Sequence, residues 1–285
     1  MLTRRRFLTI AAASAACPAG AAPSEWRGRA LGADVTLRLA GRADPGGRIW
    51  RKVARLLRQV EAEASLHTDS ELVRLNTQGR LSWPSEGMRG LIALSGRVHA
   101  ATGGAFDPSV QPLWLARARG GAARDVVTGW EKLRVSEHEI AMAPGMALTF
   151  NGIAQGAAAD RLAALLRAEG YGDVLIDAGE VQALGREGAH DWQAGIAGPD
   201  GALLRRVALR DRALATSSPM GTRIGAGLPH ILHPDGRGAL WGTVSVSAGS
   251  AALADALSTA FCLMTEGEIA AALARFPGAR LEFLG

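Results

Sequence analysis

The sequence predicts an α+β fold, a single mixed α/β domain, and three observations predict it. Segments with strand periodicity and segments with helix periodicity are interspersed, without the regular strand–helix–strand rhythm of a parallel sheet. Of the 285 residues 48% are hydrophobic and 21% charged, enough apolar material for a core and too much for a disordered chain. No run of about 18 apolar residues is present, so no transmembrane span is predicted in the mature chain.

The elements follow in order. Residues 31–39 alternate apolar Val35, Leu37 and Leu39 with polar Asp34, Thr36 and Arg38, a strand. Ile49, Val53, Leu56, Leu57 and Val60 recur at helical spacing over residues 48–64. A short helix opens at Asp69-Ser70-Glu71-Leu72 and runs towards Asn76. Pro84-Ser85 caps another, with Met88, Leu91, Ile92, Ser95 and Val98 on one face and Gly103-Gly104 as its stop. The Arg-, Gly- and Ala-rich stretch 116–126 reads as an exposed loop. Residues 151–156 read as a glycine-containing loop leading into a helix over 157–169. Strands are predicted at 174–176, 192–197, 203–209 and 241–247. A helix starts near Ala252 and passes Cys262, a second begins around Glu266, and residues 280–284 close as a strand.

The N-terminus reads as an export signal. Arg4, Arg5 and Arg6 precede Phe7-Leu8 and an Ala-rich, weakly hydrophobic run, and Ala19-Gly20-Ala21 fits a small-x-small cleavage site. The expected division is a twin-arginine signal peptide over 1–21 and one domain over 22–285, giving a periplasmic protein. Cleavage before Cys17 with lipid on its sulfur is the alternative. If Cys17 leaves, Cys262 is the single thiol and no internal disulfide can form. Three of the arginines behind the formal charge of +5 lie in this segment, and no basic helix face or RNA-binding motif follows, so no nucleic-acid partner is predicted.

Several segments could carry chemistry. Asp255, Ser258 and Thr259 fall on one helical face, a carboxylate and two hydroxyls whose hard oxygens suit Mg²⁺ over Zn²⁺. The same three residues also suit a helix with plain back-bonding. Asn151-Gly152-Ile153-Ala154-Gln155-Gly156 could let a phosphate approach a helix N-terminus, or be an ordinary helix entry; it has neither Rossmann nor P-loop spacing. His230 and His233 stand three residues apart with no Cys or third His nearby, which argues against zinc.

Taken in order, T-D-S-E-L-V-R-L-N, T-G-G-A-F-D-P, F-N-G-I-A-Q-G-A-A-A-D, D-A-G-E, A-L-A-T-S-S, H-I-L-H-P and A-D-A-L-S-T resemble the ApbE family of FAD:protein FMN transferases, over nearly the whole mature chain. The resemblance implies an ApbE-like domain that transfers FMN from FAD to a Thr or Ser hydroxyl of a client flavoprotein, forming a phosphoester and releasing AMP. It implies Mg²⁺ held by Asp255 and Thr259 with the Gly152 carbonyl, and Ser258 beside them. Leu31, Asn76, Ala105, Phe106, Asp107, Thr149, Gln155 and Ile231 would line the FAD site. His230 is the implied proton acceptor, with Asp255 the alternative. The client is expected to be membrane-associated. An FAD pyrophosphatase and a periplasmic FAD-binding protein without turnover are the competing readings. Leu31-Gly32-Ala33 replaces the family's Met-Gly-Thr, Thr149 stands where some members have Asp, and His233 replaces the Asp before Pro234, changes that would suit a NosX-like branch with one client.

Overall fold

The computed structural model describes residues 8–9, 24–41, 46–121 and 126–285. The three arginines, Cys17, the Ala19-Gly20-Ala21 site and part of the 116–126 stretch lie outside the described residues. The N-terminal half contains β1 (Leu8–Thr9), β2 (Ser24–Ala30), β3 (Ala33–Leu39), α1 (Gly47–Ala64), α2 (Glu71–Gln78), β4 (Arg80–Ser82), α3 (Glu86–Ala101) and α4 (Gln111–Ala118). It continues with β5 (Arg134–Val135), β6 (Glu139–Ala141), α5 (Ala154–Ala168), β7 (Val174–Asp177), β8 (Val181–Leu184), β9 (Trp192–Ala197) and β10 (Leu203–Leu209). The last third holds β11 (Arg212–Ser217), β12 (Arg223–Ile224), β13 (Leu228–Pro229), β14 (Val244–Ala248), α6 (Ala251–Phe261), α7 (Glu266–Ala274) and β15 (Arg280–Leu284).

A seven-stranded sheet in the order β15-β14-β11-β8-β7-β3-β2 is the centre of the fold, and each neighbouring pair is antiparallel. One face carries Val35, Leu37, Leu39, Val174 and Ile176 against Ile49, Val53, Leu57 and Val60 of α1 and Leu162 and Leu166 of α5. The opposite face packs Leu175, Val181 and Leu214 against Trp192, Ile196 and Leu209 of the smaller β1-β9-β10 sheet. A further core joins α2, α3, α7 and the Met146–Ala154 segment to α6. Helix α6 belongs to two cores: Ala251 and Ala254 face the sheet core, while Ala256, Leu257, Ala260 and Phe261 face the third. That position explains a helix apolar almost all round, and it makes the polar Asp255 and Ser258 on it conspicuous.

The α+β reading and the elements at 192–197, 203–209 and 280–284 agree with the structure. Other boundaries differ. Residues 24–30 form β2, which sequence reading missed because its exposed edge position leaves few apolar residues to alternate. Leu31 and Gly32 make the β2–β3 turn, at φ 51° and 76°, instead of opening a strand. Helix α4 extends to Ala118, into the stretch expected to be loop. Helix α5 starts at Ala154, so Gln155 and Gly156 sit in its first turn and not in the preceding loop. The strand expected from Trp241 begins at Val244, and the Trp241 indole donates instead to the Met264 carbonyl at 2.8 Å.

Candidate active site

The site grows from the place where α5 and α6 begin. Ser250 caps α6, its hydroxyl accepting from the Leu253 N–H at 3.2 Å. Asp160, reaching across from α5, accepts from the Ser250 hydroxyl at 2.6 Å and from the Ala251 and Ala252 N–H groups at 2.7 and 3.0 Å. A first turn whose N–H groups find such acceptors is held by about 1 kcal/mol per cap. The approach of the helices is set by Gly156. A Cβ there would stand 2.4 Å from the Ala251 carbonyl oxygen, so any larger residue would push them apart. The same contact brings the Gly156 N–H to the Asp255 carboxylate at 3.4 Å. Asp255, only 4% exposed, therefore lies at the positive end of α5, which lowers the cost of burying its charge.

One turn further along α6, Ser258 and Thr259 meet the end of β11. The Ser258 hydroxyl donates to the Asp255 carbonyl at 3.0 Å, and the Ser217 hydroxyl lies 2.8 Å from Ser258 and 3.3 Å from Thr259. Gly152 completes the group from a segment a hundred residues away. A Cβ on it would be 2.9 Å from the Thr259 hydroxyl and 3.4 Å from the Phe106 ring. Gly152 thus lies against both Phe106 and Thr259, the latter on the helix that carries Asp255 one turn earlier. Ser258 is fully buried with its hydroxyl engaged on both sides, so it supports the group from behind. Among the described residues no three His, Cys, Asp or Glu side chains gather as a metal site. A cation here would have one carboxylate and neutral oxygens, a hard donor set.

The remaining expected residues are each held by contacts of their own. Asn76 clamps the Leu148 backbone, donating to its carbonyl at 2.9 Å and accepting from its N–H at 2.7 Å; its amide is spent on the segment that leads to Gly152. Thr149 donates its N–H to the Pro108 carbonyl and accepts from the Asn151 N–H at 3.2 Å. Asp107 caps the turn Pro108–Val110 by accepting from the Ser109 N–H at 2.8 Å. Phe106 is fixed at both backbone ends, donating its N–H to the Thr102 hydroxyl at 3.1 Å and accepting from the His99 ring at 3.0 Å. Ala105, Phe106 and Ile231 are buried in the same core as Ala154 and Ala252. The Gln155 side chain lies against Gly179 of the β7–β8 turn. Leu31 donates its N–H to the Glu61 carboxylate at 3.1 Å and packs against both larger cores.

His230 follows β13. Its Nδ1 lies 2.9 Å from the Pro219 carbonyl and 3.1 Å from the Thr222 carbonyl. Carbonyls only accept, so the neutral ring carries its hydrogen on Nδ1 and keeps its lone pair on Nε2, the form a proton acceptor needs. Pro219 lies two residues after Ser217, so one short segment positions both the ring and the hydroxyl cluster. His233 is set differently. Its Nδ1 faces the Asp235 carboxylate at 2.6 Å and its Nε2 accepts from Arg237 at 2.8 Å. Burial pushes its pKa down from the usual 6.5 despite Asp235. The two histidines have separate partners. A cleft of about 610 Å³ lies between α2, α4 and the Ala141–Ala147 segment; of the expected residues only Asn76 lines it, so the chemistry is assigned by the polar cluster and not by that cleft. Sequence reading missed Asp160 as the tie between the helices and Ser217 as the centre of the hydroxyls; both lie inside quoted motifs, Asp160 last in one and Ser217 next to last in another.

Residues 31–282 match the model of the ApbE family. Over 131 residues the chain is 36% identical to an FAD:protein FMN transferase of Rhodobacter capsulatus, a match covering 43% of this chain and 25% of that protein; the chain spans about a quarter of the length of that relative. Among solved structures, it is similar to the flavin transferase ApbE from Vibrio cholerae, at 26% identity and TM-score 0.75, over 89% of this chain and 91% of that one. The apo form of the flavinyl transferase ApbE from Pseudomonas stutzeri is 26% identical, with TM-score 0.76 over 88% of this chain and 87% of that one. The ApbE protein of Thermotoga maritima, 24% identical with TM-score 0.77 over 91% and 93%, shares the fold.

Proposed function

The chain belongs to the ApbE family, and on that premise we propose that it transfers FMN from FAD to a Thr or Ser hydroxyl of a client flavoprotein, releasing AMP. The observation that carries the reading is the meeting of Asp255, Thr259 and Gly152 at the start of α5. In this reading Mg²⁺ would be held by the Asp255 carboxylate, the Thr259 hydroxyl and the Gly152 carbonyl, with Ser258 behind them. When bound, the ion offsets the charge of the pyrophosphate and acts as a Lewis acid.

The chain's own residues supply the rest. Asp255 and Thr259 orient the phosphates, and the Gly156 N–H at the start of α5 steadies the Asp255 carboxylate. His230 takes the proton of the attacking hydroxyl at Nε2, with the imidazolium held by the Pro219 and Thr222 carbonyls. Phe106, Ile231 and Gln155 flank the flavin nucleotide and exclude water, which favours a protein hydroxyl over hydrolysis. The N-terminal 1–21 segment is read as a twin-arginine signal, so the site works in the periplasm on a membrane-associated client.

The test is to incubate the chain with FAD, Mg²⁺ and a Thr-bearing flavoprotein target and read covalent flavin by in-gel fluorescence. A fluorescent target band that disappears with EDTA is expected. Release of FMN and AMP with no band would replace the transferase with a pyrophosphatase, and intact FAD would leave a binding protein.

A further inference from the structure

We infer that Ser217 is a positioning residue that turns Thr259 into an acceptor for the cation; the inference rests on the Mg²⁺ reading above. The argument is one of hydroxyl polarity. A hydroxyl has one hydrogen to donate and two lone pairs to offer. The Asp255 carbonyl can only accept, so Ser258 spends its hydrogen there, at 3.0 Å. Ser258 can then meet Ser217, 2.8 Å away, only as acceptor, and the Ser217 hydrogen is spent in turn. Ser217 can therefore meet Thr259, 3.3 Å away, only as acceptor. The Thr259 hydrogen points to Ser217, and its lone pairs are turned from that contact.

The direction of the chain matters because a cation binds lone pairs and is repelled by a hydrogen. Without Ser217 the Thr259 hydroxyl would rotate, and part of its population would aim the hydrogen at the ion. Ser217 is itself anchored: it closes β11 opposite Val244 in the strand ladder. The anchor at the head of the chain is a main-chain carbonyl of α6, which cannot reverse its role. The polarity is thus fixed by the helix itself and relayed through two serines.

The test counts bound Mn²⁺ by its EPR signal in the full chain without FAD, so that it is independent of turnover. Ser217→Ala is expected to weaken Mn²⁺ about five- to tenfold, the worth of one hydrogen bond, with the metal-free melting temperature nearly unchanged. Ser217→Thr, which keeps the hydroxyl, is expected to restore the affinity. Wild-type affinity in Ser217→Ala overturns the inference, as does a Ser217→Thr variant as weak as Ser217→Ala, which would assign the loss to packing. Should Ser217→Ala fail to fold, Ser217→Cys carries the test, because a thiol is a weak acceptor: the same weakening supports the inference and wild-type affinity overturns it. Should the wild-type chain bind no Mn²⁺, or Asp255→Ala bind it equally well, the cation reading falls and takes this inference with it.

Discussion

Helices α5 and α6 begin side by side and are finished differently. The start of α6 is sealed: Ser250 caps it and Asp160 accepts from its first N–H groups. The start of α5 has no side-chain cap; Ile153 stands at the N-cap, and the Gly156 N–H is directed at Asp255. In place of a local side-chain cap, the Phe150 carbonyl accepts from the Ala154 N–H at 2.8 Å, and Asp255 comes from α6 to accept from Gly156. That acceptor belongs to the conjunction of Gly152, Asp255 and Thr259. The contrast separates two tasks: the sealed end fixes the register of α6, and the other end fixes the Asp255 carboxylate.

The most severe way to break that contrast is to remove the charge facing α5. Asp255→Ala is expected to lower FMN transfer by about 10³-fold, several kcal/mol of transition-state stabilisation, while circular dichroism stays native. Covalent flavin formed at near the wild-type rate would show that the α5 end has no part in the chemistry. Next is His230→Ala, expected to reduce turnover about 10²-fold with little change in FAD affinity. A weakened FAD affinity at unchanged turnover would make His230 a binding residue.

Gly156→Ala tests the contact between the two helix starts. The added Cβ meets the Ala251 carbonyl at 2.4 Å, and this backbone cannot move without displacing α6. Overpacking of this kind costs about 1–3 kcal/mol, so the melting temperature is expected to fall by several degrees in a chain of this size. Metal affinity should fall with it, because Asp255 and Thr259 travel with α6. A stable variant that merely lost metal would show that the helices can slide independently.

The site was more legible in the sequence than the sheet that supports it. Asp255, Ser258 and Thr259 needed only helical spacing to be placed on one face, and that arithmetic survives any error at the helix ends. The strands β8 and β11 were invisible for a physical reason. Val181–Leu184 and much of Arg212–Ser217 are buried on both faces, so no polar–apolar alternation marks them. The clamp of Asn76 on Leu148 could not be read either, since it joins residues 72 apart. Asn76 was expected to line the FAD site; its polar atoms hold the backbone that delivers Gly152. The tie of Asp160 to α6 spans a similar distance, and a lone Asp in an Ala-rich helix reads as solvent-facing.

Asp160 gives the smallest effect and the finest test of the sealed end. Burial pushes its carboxyl above the ordinary 3.8, outweighing the Ser250, Ala252 and Ala251 hydrogen bonds that pull it down. A group whose pKa rises on folding contributes stability that is full below its unfolded value and is lost as pH rises through the folded one. At neutral pH wild-type Asp160 is therefore a charged cap held at some cost, against the favourable end of the helix dipole. Asp160→Asn has nothing to ionise, but its single oxygen leaves one of the Ala251 and Ala252 N–H groups without its acceptor at every pH. Its melting temperature relative to wild type is expected to climb as pH is raised from below 3.8 towards 7, with the overall difference within about 1 kcal/mol. A difference that stays constant with pH would mean that the carboxylate is as well solvated in the fold as in the open chain, and that the seal on α6 carries no electrostatic cost.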